Sequence, residues 1–177
     1  MVMEKIDTDG DGIPDTFIIK GEPRKKPVSS TKTKTKKPDL PSNLIEATCI
    51  RVSDGDTIKV RLDDDSVESV RLYGVDCPER RQPFGKRATQ FTKDMILGET
   101  VNISPVTTDK YGRTIAWVYV DGECLDKELL KAGLAWHYKE YSQEKELAIL
   151  EEEARAKKIG LWQEPNPTPP WEWRHSR

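Results

Sequence analysis

Residues 45–75 read IEATCIRVSDGDTIKVRLDDDSVESVRLYGV. Three stretches within them, Ile45–Val52, Thr57–Leu62 and Val67–Val75, alternate apolar with polar residues and are rich in β-branched side chains. That is the period of a strand with one face in a core. Ser53-Asp54-Gly55-Asp56 and Asp63-Asp64-Asp65-Ser66 separate them and supply turn chemistry. Val101–Val106 and Thr114–Val120 predict two further strands, and Asp121-Gly122 after the second is a hairpin signal. Three segments carry helical periodicity instead. Phe84–Leu97 places Ala88, Phe91, Met95 and Ile96 on one face before Gly98. Asp126 is expected to cap a short helix holding Leu129 and Leu130, ended by Gly133. Ser142 is expected to cap a longer one through Leu147, Leu150, Ala154 and Lys158. Its Glu151–Arg155 and Glu153–Lys157 pairs predict a solvated outer face. Five short strands in this length fit a small closed barrel better than a sandwich. The fold class is therefore α+β: a five-stranded barrel with three α-helices.

The rest of the 177-residue chain is organised around this body. Residues 21–43, GEPRKKPVSSTKTKTKKPDLPSN, hold seven Lys/Arg against two acids and almost no large apolar residue. Such a segment cannot bury enough surface to offset chain entropy, which predicts a disordered basic linker. Residues 165–177 form a Pro/Trp-rich tail in which Trp171 and Trp173 are candidates to dock on the body. The expected layout is thus an acidic segment at 1–20, the linker at 21–43, the folded domain at 44–164 and the tail. Lys+Arg total 29 against 31 Asp+Glu, a net charge of −2, which argues against a uniformly basic nucleic-acid coat but not against local clusters. No run of about 18 apolar residues exists, so no membrane helix is expected. The start has no apolar core of a secretion signal, which reads as cytoplasmic as written, or secreted if the chain is a fragment. Cys49, Cys77 and Cys124 are too few and too scattered for a disulfide framework or zinc site, and read as reduced thiols.

Chemistry-bearing residues gather at strand ends. Asp54-Gly55-Asp56-Thr57 and Asp76-Cys77-Pro78-Glu79 are rich in carboxylates and free of histidine. Each alone is an ordinary turn; converging, they suit a hard cation such as Ca²⁺ rather than zinc. Arg71 is placed on one strand face with Tyr73 and Val75. It needs an anionic partner, either a phosphate that its planar fork can grip or one of the same carboxylates. Lys110-Tyr111-Gly112-Arg113 puts two cations around an aromatic in a turn, which suits a phosphate and a stacked base, or simply solvent. Asp7, Asp9, Asp11 and Asp15, with Gly12 at the sixth place, suggest a possible second Ca²⁺ loop. Ile18 stands where an EF-hand needs Glu, so the loop looks more like a thrombospondin type 3 repeat.

Taken in order, ATCIRVSDGDTIKV, VRLYGVDCPE, TDKYGRTIAWVY and AGLAW, then a helix leading to Gly160-Leu161-Trp162, resemble the staphylococcal nuclease (thermonuclease) family over about residues 44–164. The resemblance implies an OB-fold barrel and a Ca²⁺-dependent phosphodiesterase acting on DNA and/or RNA, expected as a monomer. By position it implies Asp56 and Asp76 as carboxylate ligands of the metal and Cys77 as a main-chain carbonyl ligand. Cys77 replaces the threonine of the best-known member, a change a carbonyl ligand tolerates. Arg71 and Arg113 would hold the phosphate, and Glu79 would act on the attacking water. Lys110 and Tyr111 match positions that contact a second phosphate. Tyr138 and Tyr141 fall where the family places aromatics near the base, whereas His137 reads as structural. The rival reading is a non-catalytic OB-fold module that binds nucleic acid or protein. A third is a Ca²⁺-binding extracellular structural protein, resting on the N-terminal loop.

Overall fold

The computed structural model describes residues 4–6, 16–18 and 40–176. The chain forms two units, Met1–Asp39 and Leu40–Arg177. In the first, β1 (Glu4–Ile6) pairs antiparallel with β2 (Thr16–Ile18). The proposed calcium loop at Asp7–Asp15 and most of the basic segment lie outside the described residues.

The second unit is a barrel. β3 (Ile45–Asp54), β4 (Thr57–Arg61) and β5 (Val67–Leu72) form a meander, each antiparallel to the next. β7 (Thr100–Thr108) pairs with β3, and β8 (Thr114–Val120) pairs with β7. β8 then meets β5 in parallel, Arg71 opposite Ile115, and closes five strands into a ring. Closure removes the exposed edges an open sheet would present. Cys49, Ile58, Val60, Val70, Leu72, Val101 and Val118 fill the interior and are fully buried. Asp121 and Gly122 both adopt positive φ, 49° and 84°, and turn β8 into the short β9 (Glu123–Cys124). This is the geometry the Asp-Gly pair predicts.

Between β5 and β7 lie the two-residue strand β6 (Val75–Asp76) and helix α1 (Gly85–Ile96). After β9 come α2 (Leu125–Lys131), β10 (Trp136–His137), α3 (Lys145–Ala156), a 3₁₀ turn at Gly160–Gln163, and α4 (Pro170–His175). Among the described residues there are thus four α-helices rather than three, because the Trp-rich tail itself winds onto the body. Pro170 opens α4 at the first helical position, where its missing N–H costs nothing.

Four local expectations are corrected. The strand expected to run from Val67 to Val75 breaks after Leu72, because Gly74 takes φ 70°. An added Cβ there would come within 2.7 Å of Leu147 and 3.0 Å of Ser142, so the break is enforced by packing as well as by φ. Asp126 does not cap α2; Cys124 holds that position, and Asp126 lies buried in the first turn, where it accepts the Val118 N–H at 3.2 Å. Glu144, not Ser142, flanks α3, while the Ser142 hydroxyl accepts the Glu144 N–H at 3.3 Å. Finally, Glu151 is not on a solvated face. It is 2% exposed, accepts the His137 N–H and is flanked by Arg155 and Lys139 at 3.5 and 3.7 Å. Its buried charge is tolerable because it is paired and hydrogen-bonded.

Candidate active site

The site grows from the turn between β3 and β4. Gly55 is buried against α1 and the Cys77 loop, so that a Cβ would lie 2.8 Å from both Ala88 and Cys77. The Thr92 hydroxyl of α1 donates to the Gly55 carbonyl at 2.7 Å and pins the turn. This fixes Asp56, whose Oδ2 accepts the Cys77 N–H at 2.7 Å across 21 residues of sequence. Oδ1 of Asp56 accepts from Thr57 at 3.1 Å and from Arg71 at 2.8 Å.

Arg71 alternates with Val70 and Leu72, which enter the barrel, so its side chain leaves the core on the side of the acids. Its second nitrogen reaches Asp76 Oδ1 at 3.1 Å. One guanidinium thus bridges two carboxylates whose side chains are only 5% and 1% exposed. Asp76 is held by β6, which pairs with β10 at Asp76↔Trp136. Just beyond it, Pro78 and a turn bring Glu79 to the rim, its N–H donating to Gln82 Oε1 at 3.0 Å. Gly85 is confined here by close approach, since a Cβ would collide with the Glu79 carbonyl.

The electrostatics describe a surplus of negative charge in little water. Burial raises the Asp56 carboxyl above the usual range, and Asp54 adds to the shift while Arg71 opposes it. Burial raises Asp76 too, with the Asp56 charge adding and Arg174 and Arg71 opposing. For Arg71, burial works against the charge, yet Asp56 and Asp76 outweigh it and hold the guanidinium firmly protonated. Burial is the leading cause for both acids, and Arg71 opposes it at each. The donors are hard oxygens only, which fits a cation such as Ca²⁺ that keeps several waters. Among the described residues no group of three or more His, Cys, Asp or Glu side chains forms a fuller cage. Burial pushes the Cys77 thiol well up, with the nearby carboxylates adding, so it is an inert filler rather than a nucleophile. All three cysteines are buried and unpaired as disulfides.

Arg113 stands apart from this knot. It immediately precedes Thr114, the first residue of β8, which pairs with Val70 and runs beside the strand of Arg71. Its side chain donates to Asp109 Oδ2 at 2.7 Å, while Asp109 Oδ1 accepts the N–H groups of Tyr111 and Arg113. Tyr111 is 72% exposed, with Lys110 Nζ and the Arg113 guanidinium 5.1 and 5.4 Å from its ring centre. Tyr138 and Tyr141 lie together, ring centres 4.8 Å apart, and the Tyr138 N–H donates to the Gly74 carbonyl. The Tyr138 hydroxyl is raised by burial first, with the charges of Glu140 and then Asp76 adding to it.

The tail contributes two side chains here, of which Trp171 is expected from the sequence to dock on the body and Arg174 is not. Trp171 of α4 stacks on Tyr138, ring centres 5.4 Å apart and planes 5° from parallel. Arg174 donates to Glu79 Oε1 at 2.7 Å and to Asp76 Oδ2 at 2.8 Å. The contact spans 98 residues, and the sequence offered only the tryptophans beside it as a signal.

The family model described as staphylococcal nuclease homologue matches residues 69–164, more than half of the chain. The chain belongs to the staphylococcal nuclease family. An uncharacterized endonuclease of Escherichia coli O157:H7 is 39% identical over 134 residues, 75% of this chain and 87% of that one. An uncharacterized endonuclease of Haemophilus influenzae is 36% identical, covering 71% of this chain and 70% of that one. A staphylococcal-like nuclease of Arabidopsis thaliana is 43% identical over 108 residues, 61% of this chain and 33% of that longer one. As a member of the staphylococcal nuclease family the protein is a nuclease-type hydrolase, and its barrel is the OB-like ring described above. No helix among the described residues is long and apolar enough to cross a membrane.

Proposed function

We propose that the protein hydrolyses phosphodiester bonds of DNA and/or RNA in a calcium-dependent reaction. The observation that carries this is the buried bridge Asp56–Arg71–Asp76 with Glu79 on its rim. Asp56 and Asp76, with the Cys77 main-chain carbonyl, would hold the cation. When bound, calcium would draw charge from a phosphate oxygen and help order water around it.

The chain's own residues divide the remaining work. Substrate phosphate competes with Asp56 and Asp76 for the Arg71 fork, which presents paired donors to two oxygens. Arg113 contributes a second guanidinium from the turn that leads into β8. As water attacks phosphorus, charge grows on the non-bridging oxygens, and the two guanidiniums stabilise that charge more than the ground state. Glu79 accepts the proton that the water loses, and the ester oxygen leaves as the P–O bond breaks and takes up a proton. The exposed Tyr111 with its two cations suits a neighbouring phosphate or base, and the Tyr138–Tyr141 pair suits a base face. The alternative, an OB-fold module that binds without cleaving, lacks a reason to bury two acids around one arginine.

Incubation with single-stranded DNA or RNA in Ca²⁺, and again in excess chelator, tests the reading. Cleavage in Ca²⁺ alone is expected. Retention of the oligonucleotide without cleavage in either condition would favour the binding module.

A further inference from the structure

The C-terminal helix α4 is joined to the site by more than proximity. Pro170 is buried, and Trp171 packs edge-on against Trp136, 5.6 Å between ring centres, besides stacking on Tyr138. The side chain of Gln82 is 6% exposed and grips two segments at once. Its Oε1 accepts the Glu79 N–H at 3.0 Å, and its Nε2 donates to the Thr168 carbonyl at 2.6 Å. One buried amide therefore holds the loop carrying Glu79 and the segment leading to Arg174 in fixed relation.

Three carboxylates, Asp56, Asp76 and Glu79, gather here, and Arg71 is bonded to the first two. Like-charge repulsion would drive Glu79, whose side chain is 39% exposed, outward into water. Arg174 opposes that. Its Nη1 lies 2.7 Å from Glu79 Oε1 and 3.3 Å from Asp76 Oδ1, while Nη2 lies 2.8 Å from Asp76 Oδ2. The planar fork thus draws Glu79 to Asp76 before any substrate arrives.

We propose that Arg174 is a positioning residue of this site, and that α4 is a built wall of the nuclease rather than an appendage. Arg174 aligns the Glu79 carboxylate, and the aromatic and Gln82 anchors hold Arg174 where it can do so. The inference rests on the nuclease reading, because its effect passes through the proton acceptor. A detachable plug would make the opposite prediction: a guanidinium that blocked Asp76 and Glu79 would suppress turnover, and its removal would raise it.

The test is a double-mutant cycle in the full chain, with Arg174→Ala and Glu79→Gln singly and together, and Arg174→Lys as a milder variant. Arg174→Ala is expected to lower kcat by about 10- to 100-fold with KM within about threefold, since misplacement of a reacting group acts on the chemical step. In the Glu79→Gln background the same change should cost under about threefold, because a residue acting through another is non-additive with it. Added guanidinium ion should restore part of the turnover of Arg174→Ala, and Arg174→Lys should lie between that variant and the parent. Oligonucleotide affinity measured in chelator should stay within about threefold of the parent. Turnover that rises on Arg174→Ala, or affinity that tightens, would establish the plug and overturn the proposal. So would an equal loss in both backgrounds, which is the mark of general destabilisation. A parent chain that cleaves nothing in Ca²⁺ would remove the nuclease reading itself, an outcome distinct from a cleaving parent indifferent to Arg174.

Discussion

Arg71 and Arg113 carry the same group, one within β5 and the other in the turn that leads into β8, yet the fold embeds them differently. Arg71 has a side chain 16% exposed and is bonded to two buried acids. Arg113 is 29% exposed and pairs with one acid four residues away, in a turn that solvent reaches. The first arginine is a keystone, since it is the guanidinium that joins Asp56 to Asp76, and without it Asp56 would lose its cationic partner in little water. The second is held locally by Asp109, whose carboxyl is lowered because hydrogen bonds from Arg113 and Tyr111 outweigh its slight burial. The catalytic task proposed for both is therefore compatible with unequal structural weight.

The largest expected effects are on turnover and test the shared task. Glu79→Gln keeps the shape and removes the proton acceptor, with an expected loss on the order of 10²–10⁴-fold. Arg71→Lys and Arg113→Lys each keep a charge but lose the planar fork. Each should cost on the order of 10²-fold in kcat while oligonucleotide binding persists. If Glu79→Gln and Arg71→Lys both left turnover within about threefold of the parent, the catalytic reading would fall and the binding module would replace it.

Unequal weight is tested by stability. Arg71→Ala leaves the buried Asp56 without its cationic partner and Asp76 with Arg174 alone, and should cost on the order of 3 kcal/mol in urea melts. Arg113→Ala breaks an accessible pair and should cost less than about 1 kcal/mol. Equal losses would erase the contrast. Gly55→Ala forces a methyl against Ala88 and Cys77 and should cost about 1–3 kcal/mol while shifting Asp56 out of place.

Asp126, which has no role in the proposed reaction, offers a control. Burial pushes its carboxyl up to about 7, and among the described residues its Oδ1 has no hydrogen-bond partner. A carboxyl whose folded pKa lies above its unfolded value stabilises the fold fully below about pH 4, and that contribution is lost as pH rises toward 7. Asp126→Asn, which cannot ionise, should flatten the stability profile between about pH 4 and 7 and raise stability at pH 8 relative to the parent. A parallel, undiminished slope in the variant would show that Asp126 is not the titrating group. The smallest effect concerns the basic segment: deleting residues 1–43 should flatten the salt dependence of nucleic-acid binding and leave saturating turnover similar. An unchanged salt slope would make it a passive spacer.

The sequence was most legible where chemistry is local. Alternation in residues 45–62 marked β3 and β4 closely, and Asp121-Gly122 marked its hairpin. The knot of Asp56, Arg71 and Asp76 was reachable through ordered motifs, because both acids flank predicted strand ends and Arg71 lies on the predicted strand that leads to Asp76. What stayed hidden depends on tertiary contact. Glu151 looked solvated because i,i+4 pairing with Arg155 is a surface habit, and only the fold shows the His137 backbone above it. Ser142 and Asp126 looked like caps because the residue types fit, but Asp126 is drawn inward to satisfy the N–H of Val118. Arg174 was invisible because nothing local in the tail reports a partner 98 residues upstream.

The most direct test of the account is a calcium titration of cleavage by the parent, Asp56→Ala and Asp76→Ala. Removing either hard oxygen ligand should move the Ca²⁺ midpoint of activity to higher concentration, by on the order of tenfold or more. A midpoint unchanged in both variants would contradict the assignment of this buried pair as the cation's seat.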